Sequence, residues 1–233
     1  PSLSTVTVSP TSLEANGTDT STITAILRDA YNNPVSGRTV QISATGTGNI
    51  ITQPASVTNS SGRATGTIAS TDIGSKTISI TIVEDSLQLD TQPAIDFTPG
   101  SASATRSTVA VSKTSVVADN SDSVSITVTV NDENDNPIQG KSITIYVTGN
   151  SNNLVPVSGT SDSNGQVTAT LTSTRAELKT ISAENTTDNH FIVQTQDVTF
   201  IAGALSQSAS TVDVSTSTAL ANNSDTVTVS IAL

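Results

Sequence analysis

The sequence repeats itself with a period of 103 residues, and this repeat limits the possible folds more than any other feature. A shift of 103 places superimposes two full copies without a gap, as in the pairs Gly62/Gly165, Phe97/Phe200 and Gly100/Gly203. A third copy opens near Ala204 and follows only the first strands of the pattern. The period exceeds the roughly 20–50 residues of solenoid repeats and fits an autonomous domain of about 100 residues. We therefore predict three units in series, residues 1–100, 101–203 and 204–233, the last an incomplete copy cut from a longer chain.

Within each copy apolar and polar residues alternate, which is typical of half-buried β-strands. Ile23, Ala25 and Leu27 set this pattern in the first copy, and the second copy repeats it at the equivalent positions. Further alternating runs follow at residues 40–44, 64–68, 78–82 and 95–97. No segment keeps the 3.6-residue apolar period of a helix. The pattern predicts an all-β fold, with at least seven short strands per copy packed as a β-sandwich.

Turn residues separate the predicted strands at matching places in both copies. Residues 29–34 and 132–137 share the pattern Asp-x-x-x-Asn-Pro. Asn and Asp tolerate left-handed backbone, and Pro cannot donate a hydrogen bond to a central strand. The Ser-Ser-Gly and Ser-Asn-Gly segments that end at Gly62 and Gly165 are predicted hairpin turns before the next strand. We place the junctions between units at residues 98–103 and 201–206.

The composition excludes several classes of function. The chain has no Cys and a single His, His190, so thiol catalysis, a Cys-based zinc site and a His-rich metal centre are excluded. Nine basic against twenty acidic residues give a net charge of −11, the wrong sign for nucleic acid or an anionic membrane surface. No stretch approaches the roughly 18 apolar residues of a membrane-spanning helix. Without a phosphate-binding loop or nucleophile elbow in the sequence, we expect no enzyme activity and no cofactor.

Both copies share three motifs: Asp-x-x-x-Asn-Pro-Val/Ile-x-Gly-Arg/Lys, the later Lys-Thr-Ile-Ser and the closing Phe. Together these motifs resemble the group 1 bacterial immunoglobulin-like domains, the repeats of the intimin and invasin family of outer-membrane adhesins. The resemblance covers nearly all of both full copies and the start of the third. It implies tandem immunoglobulin-like β-sandwiches arranged end to end.

The same resemblance implies a function for the repeats. In this family they form a rigid stalk that presents a distal binding domain. The implied location is outside the cell, on the bacterial surface, with an outer-membrane anchor in a part of the protein outside this sequence. The implied partners are neighbouring repeats of the same chain, and a host receptor or another surface protein bound through other domains.

One acidic segment is a candidate metal site. Asp132, Glu133 and Asp135 lie in a segment that resembles the calcium-binding linker of cadherins, and Ca²⁺ takes six to eight oxygen ligands. The equivalent segment of the first copy has one acid, Asp29, and both segments lie inside a copy, away from the predicted junctions. We favour a structural turn and keep a calcium site as the alternative.

Other polar residues also have a structural and a functional interpretation. Asp19, Asp122 and Asp225 recur in all three copies, which favours turns in which the carboxylate accepts backbone hydrogen bonds. Sequons of the N-glycosylation type begin at Asn16, Asn59, Asn185 and Asn222. A chain so rich in Ser, Thr and Asn is expected to contain such sequons by chance.

His190 has no counterpart in the first copy, so we expect an exposed loop or strand residue and not a catalyst. Lys76 and Lys179 recur at a predicted strand start and are the candidates for a lysine–asparagine isopeptide bond. An ordinary strand lysine is the favoured interpretation.

Two other functions stay open at this point. Apolar residues of 204–233 have no partner strands to cover them, so this segment could complete a sheet in another chain. They are Val212, Val214, Val227, Val229, Ile231 and Leu233. This predicts a self-associating structural subunit of a surface assembly, such as an S-layer, a filament or a phage decoration. A carbohydrate-binding module is the other alternative, because sugar platforms generally need exposed aromatic residues. The aromatic residues outside apparent core positions are Tyr31, Tyr146 and Phe191.

Overall fold

The computed structural model describes residues 3–232, which form β-strands, turns and no helix. The first unit contains β1 (Thr5–Ser9), β2 (Ser12–Glu14), β3 (Ser21–Ile26), β4 (Val40–Ala44), β5 (Asn49–Thr52), β6 (Arg63–Ser70), β7 (Gly74–Ile82), β8 (Leu87–Gln88) and β9 (Ala94–Thr98). The second contains β10 (Thr108–Val111), β11 (Ser115–Val117), β12 (Val124–Thr129), β13 (Ser142–Val147), β14 (Asn152–Val155), β15 (Ser158–Thr160), β16 (Gln166–Ser173), β17 (Leu178–Asn185), β18 (His190–Phe191) and β19 (Gln196–Ile201). The third copy contributes β20 (Thr211–Val214) and β21 (Val229–Ala232). Within residues 3–232 no helix is long and apolar enough to cross a membrane.

Each of the first two units is a sandwich of two sheets. In the first unit one sheet has the order β1-β3-β6-β5, and the other has the order β2-β9-β7-β4 with β8 on the edge of β7. The second unit repeats both sheets as β10-β12-β16-β14 and β11-β19-β17-β13-β15, with β18 beside β17. Neighbouring strands are antiparallel except β2 with β9 and β11 with β19. The predicted all-β fold of tandem sandwiches is confirmed.

The two units have separate cores, built by the alternation that the sequence shows. β3 and β12 have the same alternating burial, with every second side chain buried between the sheets. Each core holds one buried aromatic residue, Phe97 or Phe200, among Ile, Val, Leu and Ala. No residue of one unit belongs to the core of the other among residues 3–232. The period-two pattern therefore specifies both sandwiches independently, while the exact boundaries at residues 100 and 203 stay a prediction.

The sequence did not predict the shortest strands. β2 and β11 have three residues each, and they move the chain from the sheet of the first strand to the opposite sheet. β8 and β18 have two residues each. In the described residues β8 pairs only with the end of β7, and β18 pairs only with the end of β17. Two or three residues are too few to show a period of two, and the pairing depends on a distant strand that the local sequence does not indicate.

The third copy forms only a hairpin in the described residues. β20 and β21 pair antiparallel, with Val212 opposite Ile231 and Val214 opposite Val229. All residues of both strands are exposed. A single two-stranded hairpin is marginally stable in water, so this part of the chain lacks the packing that stabilises the two sandwiches.

A glycine explains one of the recurrent turns. Gly165 has a φ of 72°, and a Cβ added there would lie 2.5 Å from the carbonyl oxygen of Val130. Gly62 holds the same place in the first unit, with a φ of 73°. The hairpin turn therefore needs glycine for two reasons, the left-handed backbone and the close approach of the strand end.

We expect Gly165→Ala to destabilise the second unit by more than Gly140→Ala. Gly140 also has a positive φ, but nothing lies within 4 Å of an added Cβ, so its substitution costs only the backbone strain of about 1–2 kcal/mol. Gly165→Ala should add an overpacking cost of about 1–3 kcal/mol. Urea unfolding followed by circular dichroism measures both costs, and equal midpoints for the two variants would contradict this account.

Candidate interface between the two sandwiches

The 132–137 turn is organised by the carboxylate of Asp132. Its Oδ1 accepts hydrogen bonds from the backbone N–H groups of Asn134 at 2.8 Å and Asn136 at 2.9 Å. Asp29 does the same in the first unit, where its Oδ1 accepts from Tyr31 at 2.9 Å and Asn33 at 2.8 Å. Asp suits this position because its short side chain can accept backbone hydrogen bonds two and four residues ahead.

Asn136 connects this turn to the first sandwich. Its Nδ2 donates hydrogen bonds to the carbonyl oxygens of Thr71 at 2.9 Å and Ala15 at 3.4 Å. Its Oδ1 accepts a hydrogen bond from the N–H of Ile73 at 3.3 Å. We call these three backbone groups of the first unit the receiving surface. They belong to the segments that follow β2 and β6, so one amide side chain of the second unit contacts two separate segments of the first.

The second carboxylate oxygen of Asp132 completes the contact. Oδ2 accepts from the N–H of Gly100 in the linker and from Nδ2 of Asn136, both at 3.0 Å. Asp132 is 2% exposed and Asn136 is 7% exposed. Burial alone would raise the pKa of Asp132, but the hydrogen bonds from Gly100, Asn136 and Asn134 outweigh burial and lower the pKa. The carboxylate is therefore held ionised where the two sandwiches meet.

This placement corrects one sequence-based expectation. The 132–137 turn was placed inside a unit and away from the junction, yet the fold brings it against the receiving surface of the first unit. In sequence the turn lies 24 residues after Thr108, where β10 begins. It reaches the junction because β12 runs back antiparallel to β10.

The three acids of the calcium hypothesis have separate partners. Glu133 accepts a 2.6 Å hydrogen bond from the hydroxyl of Ser103, and Asp135 lies 3.5 Å from Arg106. Both oxygens of Asp132 already accept hydrogen bonds within the turn and from the linker. Across residues 3–232 no group of three or more acidic or His side chains is arranged to hold a metal ion. The structure thus gives this segment the geometry of a turn.

The recurrent acids Asp19, Asp122 and Asp225 do not share one role. Asp122 accepts from the N–H of Val117 at 3.0 Å, and Asp225 accepts from Leu220 at 2.6 Å, as predicted. Asp19 makes no side-chain hydrogen bond within the described part of the chain, so the prediction is wrong for the first copy.

The residue three places earlier is the one that organises this loop in all three copies. Its side-chain oxygen accepts from the N–H groups two and three residues ahead, and the residues concerned are Asn16, Asp119 and Asn222. The 103-residue register shows this position as Asn/Asp/Asn, and the recurrence of a short acceptor side chain is the signal that could have identified it; Asn16 and Asn222 also begin sequons.

Lys76 and Lys179 are buried, and within residues 3–232 neither makes a hydrogen bond to an asparagine side chain. Their Nζ atoms donate to the backbone carbonyls of Thr47 at 2.7 Å and Asn150 at 2.8 Å. Lys179 also pairs with Glu177 at 2.7 Å, and this hydrogen bond is the main cause that lowers the pKa of Glu177. Both lysines anchor loops to the sandwich, and the contacts give no support to an isopeptide bond.

The remaining candidates are His190 and the three aromatic residues outside the cores. His190 lies on strand β18 beside Phe191, but it is half-buried, so the expected exposure is wrong. Tyr146 and Phe191 are exposed, with ring centroids 5.7 Å apart, and the Tyr146 hydroxyl donates to Glu184 at 2.7 Å. Tyr31 lies on the other sandwich and is 87% exposed. The three surface aromatic residues therefore do not form one platform.

Fold and contact together define a class of protein, one built from immunoglobulin-like sandwiches that are linked in series by a polar interdomain contact. The profile described as bacterial Ig-like domain (group 1) matches residues 3–98 and 106–201. This chain belongs to that family. From here we call the first two units domains.

Known relatives include bacterial adhesins. The inverse autotransporter adhesin YeeJ of Escherichia coli (strain K12) is 28% identical over 189 residues, which cover 81% of this chain and 8% of YeeJ. The structure of Yersinia pseudotuberculosis InvD is 29% identical with a TM-score of 0.61, covering 95% of this chain and 65% of that one. Invasin, described as a bacterial integrin-binding protein, has the same fold at 24% identity and a TM-score of 0.56, covering 90% of this chain and 41% of that one. This chain thus spans less than two thirds of each relative.

We expect the interdomain contact to weaken in acid. Because the pKa of Asp132 lies below its ordinary value in the folded protein, ionised Asp132 contributes stability above the ordinary Asp pKa of about 3.9. That contribution is lost as the pH falls through the lower folded-state pKa. The amide resonance of Gly100 should therefore titrate with a midpoint below about 3.9.

Asp132→Asn should remove this titration of the Gly100 amide. Asp119→Asn is the matched control, because Asp119 also accepts two backbone hydrogen bonds in a turn, but it follows Ala118, which bonds to Ile201 at the end of the second domain. A Gly100 titration that persists in Asp132→Asn would contradict the assignment.

Proposed function

We propose that this chain is a rigid, non-catalytic spacer of a bacterial surface adhesin, which holds a distal binding domain of the same protein away from the cell. The observation that carries the proposal is the contact of Asn136 with the backbone of the preceding domain. Tandem domains with small interfaces ordinarily move relative to each other. A buried amide bound at three points restricts that motion.

The energy of the contact is sufficient to bias the joint. A typical hydrogen bond contributes about 0.5–1.5 kcal/mol net. The carbonyls of Thr71 and Ala15 share one N–H of Asn136, since the other is directed to Asp132, so the contact amounts to two such bonds and contributes about 1–3 kcal/mol. A difference of about 1.4 kcal/mol changes a population ratio tenfold. The short linker around Pro99 and Gly100 makes docking intramolecular, so no translational entropy is lost. The docked arrangement then dominates.

The receiving surface contributes only backbone atoms, the carbonyls of Ala15 and Thr71 and the N–H of Ile73. Backbone groups are present whatever the side chains, so the contact needs a loop shape and not a particular sequence. Such a contact can be repeated between domains that have diverged. This property suits a serial array in which each domain adds length.

The biological setting of the proposal comes from the relatives. The matched part of YeeJ belongs to an adhesin, and we infer the same setting for this chain, outside the cell at the bacterial surface. Strands of about eight residues at roughly 3.3 Å each give every domain a length of some tens of Å. In this proposal other domains of the protein bind the host receptor or surface protein.

Loss of the Asn136 side chain should loosen the joint. The chain has no Cys, so Gln41→Cys on β4 and Gln166→Cys on β16 give two unique spin-label sites, both exposed. We expect a narrow distance distribution between the labels, and a broad one after Asn136→Ala. Asn134→Ala is the matched control, because the Asn134 side chain lies exposed in the same turn and makes no hydrogen bond in residues 3–232. A broad distribution in the unsubstituted chain would refute a rigid spacer.

A second candidate function, assembly by strand exchange, is supported by β20 and β21. Val212, Val214, Val229 and Ile231 lie on one uncovered face of this hairpin. An uncovered apolar strand pair can add to a sheet of another molecule. This candidate makes the chain a structural subunit of a surface assembly.

Sedimentation at several concentrations tests the second candidate. It requires the full chain to associate as its concentration rises, and a chain without residues 204–233 to stay monomeric. Both sandwiches lie outside the deleted segment and keep their own cores. A full chain that is monomeric at every concentration would reject assembly and leave the spacer proposal untouched.

A further inference from the structure

The two domains carry the same turn in two different environments. Asn136 is 7% exposed because it contacts the first domain, whereas its equivalent Asn33 is exposed. Asp132 is buried and Asp29 is half-buried. Ile138, two residues after Asn136, is buried, and its equivalent Val35 is half-buried. The repeat thus provides an internal comparison of one structural element with and without a neighbouring domain.

The exposed copy of the turn has the same geometry as the docked copy. Nδ2 of Asn33 donates to Oδ2 of Asp29 at 3.0 Å, the distance found between Asn136 and Asp132. The carboxylate of Asp29 also accepts the two backbone hydrogen bonds that fix the turn. Among residues 3–232 the other groups of the Asn33 amide, one N–H and Oδ1, have no partner. In Asn136 the equivalent groups bind the receiving surface.

We propose that the 29–34 turn is a docking site for the C-terminal end of another domain of this kind. The partner would offer two backbone carbonyls that share the free N–H of Asn33 Nδ2, and one backbone N–H to Oδ1, as Ala15, Thr71 and Ile73 do for Asn136. The inference rests on the proposed function, since it extends the same contact to a second joint. Because Asp29 already orients the amide, the turn loses little side-chain entropy when it docks.

The second domain shows the receiving surface without a docked partner. The equivalents of the receiving surface in the second domain are Ala118, Thr174 and Ala176. Thr174 and Ala176 are exposed, while Thr71 and Ile73, which adjoin the second domain, are half-buried. Asp119 organises the loop beside Ala118 as Asn16 organises the loop beside Ala15. Each domain therefore has a docking turn at one end and a receiving surface at the other.

We expect the joint in front of the first domain to depend on Asn33 more than the joint between the two domains depends on Asn136. Glu133 binds Ser103 in the linker, but Ala30 stands at the equivalent position of the first domain. Arg106 and Asp135 form a surface ion pair within the second domain, beside the turn, and their equivalents are Leu3 and Asn32. Both contacts are missing from the 29–34 turn, so its docking relies more on the amide of Asn33.

The test uses an extended chain, in which an added copy of residues 1–103 is joined directly before residue 1 of the full sequence. The 103-residue repeat then continues without a gap. Spin labels at Gln41→Cys of the added copy and Arg63→Cys of the original first domain occupy positions equivalent to Gln41 and Gln166 in the native pair. Both substituted side chains are exposed. We expect a narrow distribution with the same mean distance as the native pair. Asn33→Ala in the original first domain should broaden it, and Asn164→Ala, an exposed turn asparagine of the second domain, should not.

Hydrogen exchange provides a second measurement that does not depend on the labels. The Ile73 amide of the added copy should be protected by Oδ1 of Asn33, and Asn33→Ala should speed its exchange about tenfold, the change for roughly 1.4 kcal/mol. Unchanged circular dichroism of the variant establishes that the domain still folds.

The outcomes separate this inference from the proposed function. A broad distribution in the extended chain, with a narrow one in the native pair, overturns the inference alone. Broad distributions in both overturn the inference and the rigid spacer together. A narrow distribution that Asn33→Ala does not broaden also overturns the inference, because another contact then fixes the joint.

Discussion

The arrangement of the two domains depends on one buried amide side chain. Asn136 can be buried at the junction because nearly all its hydrogen-bonding capacity is used, on Asp132 within its own turn and on three backbone groups of the other domain. A buried amide without partners would cost several kcal/mol, so the docked state is favoured only when the geometry is right. The contact is therefore selective for one orientation, which a purely apolar interface of the same size would not ensure.

Both sandwiches bury a lysine, but the acidic side chain near that lysine differs between them. Each buries a lysine whose Nζ donates to the carbonyl of a neighbouring loop. The nearby carboxylate is Asp72 in the first domain and Glu177 in the second, at positions that do not correspond in the repeat. A buried charge needs a partner but not a particular one. The lysine and its bond to a loop carbonyl recur, while the nearby acid takes a different position in the loop that precedes the strand of the lysine.

Much of this architecture could be predicted from the sequence, and the failures have physical causes. Alternation of apolar residues identified β3, β4, β6, β7 and β9, because a strand with one buried face must alternate. It did not identify β1, β5, β10 and β14, which have four or five residues, nor β2, β8, β11, β15 and β18, which have two or three residues and are defined by pairing. The family resemblance was also visible in the turn motifs and is shown by the matched profile. The location of the 132–137 turn was wrong because distance along the chain was used in place of distance in the fold.

The sequence by itself determined that the chain is all-β, that it repeats every 103 residues, and which face of the alternating strands is buried. These properties follow from local periodicity and from comparing one copy with the next. Only the tertiary structure decided which contacts the recurrent Asp-x-x-x-Asn-Pro turn makes, because the two copies have the same local geometry and differ only in their surroundings. Asn136 contacts groups that lie 63 to 121 residues away along the chain. No local pattern encodes such a contact, since the partners are backbone atoms and leave no signature in the side chains of the first domain.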